Sequence, residues 1–311
     1  MKRFSVIALR FVLPVWCMLA AACCREAAGG QQLRIADPEG WAVDVVAPGC
    51  TWYNYTGYYA PTAACQTINV LEIALADRRF ELSVVHSESA DSLSAFVQRA
   101  GAFAGINGTY FEPEVSFVRT DGRLWREVTV DPSHLRYWKH EGALFLDPAA
   151  RKAGIAYGDN ASYAASSWPV VLSGAPVLID DGRPVGETFA AVADSVDLRQ
   201  FDGEDFRRHQ GVRHPRTAVA LTADNRMLLV TVDGRRQVSA GMTAAELTRM
   251  LARHFAPRYA LNLDGGGSTT MVIGSRGLCD THVVNFPTDN KRFDRYGQRP
   301  VNNVILINQR K

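Results

Sequence analysis

Apolar and polar residues alternate along residues 41–46, 71–75 and 80–86, the period of half-buried strands. Leu93, Phe96, Val97 and Ala100 then fall at i, i+3, i+4 and i+7, the stripe of an amphipathic helix. Residues 103–107 read as a strand that delivers Gly108 to Glu112 into a loop. After a polar stretch rich in Arg and aromatics, residues 119–140, short strands are expected over 143–146, 170–172 and 176–179, with Asp180-Asp181-Gly182 closing the last in a turn. Residues 194–213 carry many charges and no period, which predicts a surface loop with the character of a mobile lid. Residues 216–221 and 227–232 flank Thr222-Ala223-Asp224-Asn225-Arg226 as a hairpin. Thr243-Ala244-Ala245-Glu246 is a capping box, Leu247, Met250, Leu251 and Phe255 form the apolar stripe behind it, and Pro257 ends that helix. Residues 259–263 and 270–273 are apolar runs too short for helices, and 304–307 is a closing strand. Many strands and few helices predict an α+β class with mixed β-sheets and a few packed helices. With no Pro/Ser linker after residue 34 and no internal repeat, one catalytic domain is expected rather than two.

The first residues break this pattern. Lys2, Arg3 and Arg10 precede an apolar run over 11–22 and then small residues, which is the order of a secretory signal over residues 1–23. The run is short for a bilayer span and contains Pro14. Leu19-Ala20-Ala21-Ala22-Cys23 resembles a bacterial lipoprotein cleavage box with its leucine one place early. Export with or without a lipid tether at Cys23 is therefore expected, placing the protein in the periplasm or envelope of a bacterium. Residues 24–33 read as a tether, 34–99 as a strand-rich N-terminal part, and 100–311 as the catalytic region.

Composition adds little. The 311 residues are 47% hydrophobic and 21% charged with net charge +2, which gives no reason to expect nucleic acid as a partner. Export permits disulfides, and Cys50 and Cys65 enclose an aromatic loop, Trp52 to Tyr59. A bridge there would stabilise the fold by about 3 kcal/mol on the loop-entropy model. Cys279 is left as a free core thiol, and the cysteine spacing fits no zinc motif.

Candidate chemistry gathers where strands end. Asp264 follows one strand and is followed by Gly265, Gly266 and Gly267, whose N–H groups could line one anion-binding concavity, and by Ser268. His214, Arg216 and Thr217 open another strand, and Asp233 and Arg235 close its hairpin partner. Asn107 ends the strand over 103–107. Arg216 and Arg235 suit a bidentate grip on phosphate, and Asp264 and Asp233 suit acid–base work. Structural roles stand beside each of these: Asp264 as a turn cap, Asp233 and Arg235 as a surface ion pair, His214 as a turn former before Pro215, Asn107 as a left-handed turn residue. Glu112 and Glu114 read as solvated, and Trp125, Tyr137 and Trp138 as packing residues that could otherwise stack on sugar. No Walker pattern and no metal-ligand spacing occurs, so neither a cofactor nor a metal is expected.

Residues 260–268, Ala-Leu-Asn-Leu-Asp-Gly-Gly-Gly-Ser, resemble the signature of the phosphodiester glycosidase family. Further segments match in order: 105–111 with its Asn107-Gly108, 173–178 with Gly174, His214-Pro215-Arg216-Thr217-Ala218, 232–235 and 299–303. The resemblance covers residues from about 100 onward. Thr269-Thr270 stands where the family more often has a second serine, and 194–213 has no counterpart. It implies hydrolysis of a sugar-1-phosphodiester at the anomeric carbon, on a phosphorylated glycan or similar substrate. In that setting Asp264, Asp233 and Asn107 are the catalytic candidates. Arg216, Thr217, His214, Arg235, Gly265, Gly266, Gly267, Ser268 and Gly174 are the substrate- and phosphate-binding candidates. A non-catalytic module binding phosphorylated envelope glycans and a metal-dependent phosphodiesterase are the alternatives.

Overall fold

The computed structural model describes residues 35–277 and 280–310; the signal, the tether, Cys23 and Cys279 lie outside them. Sixteen strands among the described residues build three sheets. The largest has seven antiparallel strands. Its centre is formed by Ala64–Ala74, Arg226–Val232, Arg216–Leu221 and Tyr259–Asn262. A four-stranded sheet contains Met271–Ile273, Ala104–Asn107, Val301–Gln309 and Phe80–Asp91. A five-stranded sheet is formed around Val170–Gly174 and Gly142–Asp147. The strands from residues 34–99 are thus woven into the same sheets as the later ones.

Period two explains the layering. In the central strands one parity faces one core and the other parity a second core. Leu71, Ile73, Val219, Leu229 and Leu261 pack with Ile106, Leu144, Leu172 and Ile305 from the other two sheets. Ile68, Val70, Ala218, Leu228 and Ala260 pack instead under helix Ala244–His254, through Leu247, Met250 and Leu251. That helix starts with the expected box: Thr243 Oγ1 accepts from Glu246 N, and Glu246 Oε2 accepts from Thr243 N. Helix Leu93–Ala100 buries Leu93, Phe96 and Val97 on the outer face of the four-stranded sheet, while Ala100 stays exposed.

One expectation fails here. The aromatic run after Cys50 is no loop but a strand, Cys50–Tyr59, paired along its length with Ala64–Ala74. Its register sets Cys50 opposite Ile73 and Tyr58 opposite Cys65. The two cysteines are therefore eight positions apart along the ladder, about 26 Å at roughly 3.3 Å per residue. A disulfide needs α-carbons within about 7 Å, and both thiols are free. The charged stretch 194–213 lies at the surface as expected but is not wholly irregular. It contains a short turn, Leu198–Gln200, and a helix, Phe206–Gly211, packed through Phe206 against Phe189.

A thiol test follows. Denatured, unreduced protein is expected to titrate both Cys50 and Cys65. In the native protein an alkylating reagent is expected to modify half-buried Cys65 first, because Cys50 is fully buried and its thiol is pushed up to about 12 by burial and by Glu72. A peptide pair joined through these two residues would refute the register.

Candidate active site

The loop after Tyr259–Asn262 crosses from the seven-stranded sheet to Met271–Ile273 in the four-stranded one. At that crossing the ladders stop, and side chains take over their backbone groups. Asn107, buried at the end of Ala104–Asn107, donates from Nδ2 to the Asp264 carbonyl at 2.8 Å. Its Oδ1 accepts from Thr217 Oγ1 at 2.9 Å and from Thr270 N at 3.1 Å. Asp264 N donates to Gly108 O. With its backbone pinned at both ends, Asp264 presents its carboxyl to a pocket of about 240 Å³.

Asp264 is 7% exposed, and its Oδ2 has no hydrogen-bond partner among the described residues. Burial raises the carboxyl to about 7, with Glu112 pushing the same way and Ser268, Lys139 and Arg299 opposing. The Ser268 hydroxyl acts by proximity, for it makes no hydrogen bond of ordinary geometry. Such a group exchanges its proton near neutral pH.

Part of the pocket is cationic: Arg235 and Arg299 beside Gly265, Gly266 and Gly267. Gly266 takes φ +61, the left-handed region that favours glycine, and Arg235 Nη2 lies over it, 2.9 Å from where a Cβ would stand. The Gly266 N–H is spent on Pro215 O at 2.9 Å, so the glycine run is not the open three-donor nest that its composition suggests. Arg299 donates from Nε to Asp289 Oδ1 at 2.8 Å. Arg235 is exposed at the pocket rim and donates no hydrogen bond among the described residues. It also holds a left-handed backbone, φ 62, at a cost of order 1 kcal/mol.

Tyr110, Glu112, Lys139, Glu204 and His209 also line the pocket, and Phe111 stands between, with the Arg299 guanidinium 5.8 Å over its ring. Lys139, 2% exposed, donates to Glu112 Oε1 at 2.8 Å and pairs with Glu204 Oε2 at 2.9 Å. His209 and His214 are lowered to about 2 and about 4, first by burial and then by Arg216, so both rings are neutral at neutral pH. No group of three or more His, Cys, Asp or Glu side chains suited to a metal occurs among the described residues.

The sequence-derived candidates thus divide. Asp264, His214, Arg216, Arg235 and the three glycines line the pocket. Asn107 and Thr217 lie behind it as the hydrogen-bonded brace, and Ser268 is buried under the loop. Gly174 is part of the packing, since a Cβ there would come 2.5 Å from the Asn262 carbonyl. Asp233 is neither at the pocket nor in a surface ion pair. It is fully buried and accepts from Asn285 Nδ2 at 2.9 Å and Phe286 N at 3.1 Å, with burial raising it to about 7. Arg216 lines the pocket but is no free clamp. Its Nε donates to Met242 O, its Nη1 to Gln210 Oε1, and its Nη2 to His209 O and Val212 O. All three nitrogens are engaged, so the bidentate edge expected to grip phosphate holds helix Phe206–Gly211 instead. Glu112 is not solvated, and Lys139, Glu204 and His209 went unrecognised. Their pairing joins three polar stretches with no common spacing; only Glu112, in the loop after the strand over 103–107, and Arg299, at the start of 299–303, lie in segments with a sequence signal.

The family model for phosphodiester glycosidases matches residues 100–308, and the chain belongs to that family. Its fold is similar to that of the zebrafish N-acetylglucosamine-1-phosphodiester alpha-N-acetylglucosaminidase catalytic domain, solved auto-inhibited by its pro-peptide. The TM-score is 0.63 at 18% identity, over 85% of each chain. A hypothetical protein from Synechocystis is similar with TM-score 0.56 and 15% identity, over 87% of this chain and 64% of that one. An uncharacterised SPbeta prophage-derived protein of Bacillus subtilis strain 168, YomE, is 33% identical over 90 residues. That match spans 25% of this chain and 14% of the relative's length.

Two substitutions separate pocket from support. Arg235→Gly relieves the left-handed backbone, so thermal stability is expected to stay within about 1 kcal/mol of the parent while phosphodiester affinity falls at least about tenfold. Asp233→Asn sets an amide donor against the donating Phe286 N, and is expected to cost about 1–3 kcal/mol with turnover per folded molecule retained. Loss of turnover in folded Asp233→Asn would return that residue to the site.

Proposed function

We propose that the protein is an exported hydrolase that cleaves a sugar-1-phosphodiester at the anomeric carbon, releasing the sugar and a phosphomonoester. One observation carries this: a buried carboxyl with an unpartnered oxygen, held near 7, shares a pocket with the unpaired guanidinium of Arg235. Family membership supports the reaction class, and the zebrafish relative's name specifies an N-acetylglucosamine-1-phosphodiester as its own substrate. The basic-then-apolar start of the chain supports export to a bacterial envelope, with or without a lipid on Cys23. N-terminal sequencing of protein recovered from the envelope checks that part, and an intact Met1 there would count against it.

In this mechanism Arg235 and Arg299 hold the phosphodiester against the glycine loop. Ionised Asp264 takes a proton from water as the water oxygen bonds to the anomeric carbon. The bond between that carbon and the bridging oxygen breaks, and its electron pair leaves on the phosphate. A phosphate stabilised by two arginines is a good leaving group, so one base at the right place suffices for the main barrier.

The expected pH dependence has a definite sign. Asp264 works ionised, so kcat/KM should rise through about pH 7 and level off above it. Asp264→Asn should remove that limb and lower turnover roughly a hundredfold or more, with circular dichroism unchanged. In oxygen-18 water the label should enter the sugar, and turnover should persist in EDTA. Label in the phosphate would instead favour a phosphodiesterase cutting P–O. Tight binding of every sugar-1-phosphodiester without turnover would favour a binding module.

A further inference from the structure

The charged groups lining the pocket are chemically unlike, and their difference orients a ligand. Beside the glycine loop Arg235 has no acceptor among the described residues, so an anion is welcome there. Around Glu112 the cations are already committed: Lys139 lies between Glu112 and Glu204 and 4.8 Å over the Tyr110 ring, and Arg136 pairs with Glu204 at 3.1 Å and with Glu112 Oε1 at 4.0 Å. Asp264 feels both groups: Glu112 and Lys139 act on it, and so do Arg299 and Arg235. With phosphate on Arg235 and the anomeric carbon at Asp264, Glu112, which lines the same pocket and acts on Asp264, is placed to meet the glycosyl group.

Glu112 is incompletely bonded there. Its Oε1 accepts from Lys139, but its Oε2 is buried and has no partner. A buried carboxylate oxygen without a donor is costly, and a ligand that brings a donor removes that cost. Half-exposed Phe111 lines the same pocket with the Arg299 guanidinium 5.8 Å over its ring. We infer that Glu112 is a specificity-determining residue whose Oε2 accepts a hydrogen bond from one hydroxyl of the glycosyl group. The sugar would then be one that presents a donor at that position. This rests on the proposed glycosidase reaction for its orientation, not for the unpaired oxygen.

A panel of glycosyl phosphodiesters that lack one hydroxyl at a time tests it, assayed on the parent enzyme and on Glu112→Ala. The parent is expected to lose at least about a hundredfold in kcat/KM on one deoxy analogue. Glu112→Ala should be slow on the full substrate and should no longer discriminate against that analogue. If Glu112→Ala slows every substrate equally and keeps the discrimination, Glu112 serves the chemistry and the inference is overturned. Equal rates of the parent on all analogues also overturn it. Calorimetric binding of the matching glycosyl-1-phosphates repeats the comparison without turnover. A binding preference that disappears in Glu112→Ala, with no hydrolysis of any diester, would uphold the inference while the glycosidase reading failed. No binding preference would end the inference on its own.

Discussion

Everything at the pocket depends on one buried amide. Strands of two different sheets end around Asn107, where neither ladder supplies partners for the backbone. Its side chain donates to the Asp264 carbonyl and accepts from Thr217 and Thr270. Leaving those buried groups unpaired would cost about 1–3 kcal/mol each. The amide therefore joins the sheets and fixes the residue proposed to carry the chemistry in the same act. No charged side chain could do both jobs, because the brace needs a donor and an acceptor side by side at one buried point.

Around that brace the protein carries unusual electrostatic stress. Asp264 and Asp233 are both buried acids raised to about 7, yet only one faces a cavity. The difference lies in their partners. Asp233 has its oxygens bonded to Asn285 and Phe286, so it is finished as a structural group. Asp264 has an oxygen to spare. Glu112 and Arg235 share that incompleteness, and Arg235 adds a left-handed backbone. The unpartnered buried oxygens of Asp264 and Glu112 are costly to stability, and with the free exposed guanidinium of Arg235 they are what a ligand would complete.

Arg216 and Arg235 show the same logic in reverse. They stand on adjacent chain segments and line the same pocket. Arg216 is 2% exposed and its nitrogens are consumed by Met242 O, the Gln210 side chain and the carbonyls of His209 and Val212. Burial pulls it down to about 10, which leaves it charged at neutral pH, and its charge adds to the burial that keeps His209 and His214 neutral. Its contribution to the pocket is a fixed field and a held wall, whereas Arg235 retains free donors. The charged stretch 194–213 thus belongs to the site through Glu204 and His209.

The sequence by itself determined the elements whose signal is local. Period two along the strands, the stripe of Leu93, Phe96 and Val97, the capping box at Thr243 and the turn glycines after Asp264 all follow from neighbours a few residues apart. The family and the fold class were legible because several such segments occur in a fixed order. Tertiary structure alone decided register and partnership. Cys50 and Cys65 are close in sequence, yet a paired hairpin holds them at opposite ends of a ladder. Glu112, Lys139 and Glu204 are far apart in sequence, yet they form one ion-pair cluster. Whether a given Asp or Arg is used up inside the protein or left facing a cavity depends on which distant carbonyls and N–H groups arrive beside it. That is set by how sheets pack, not by any pattern along the chain.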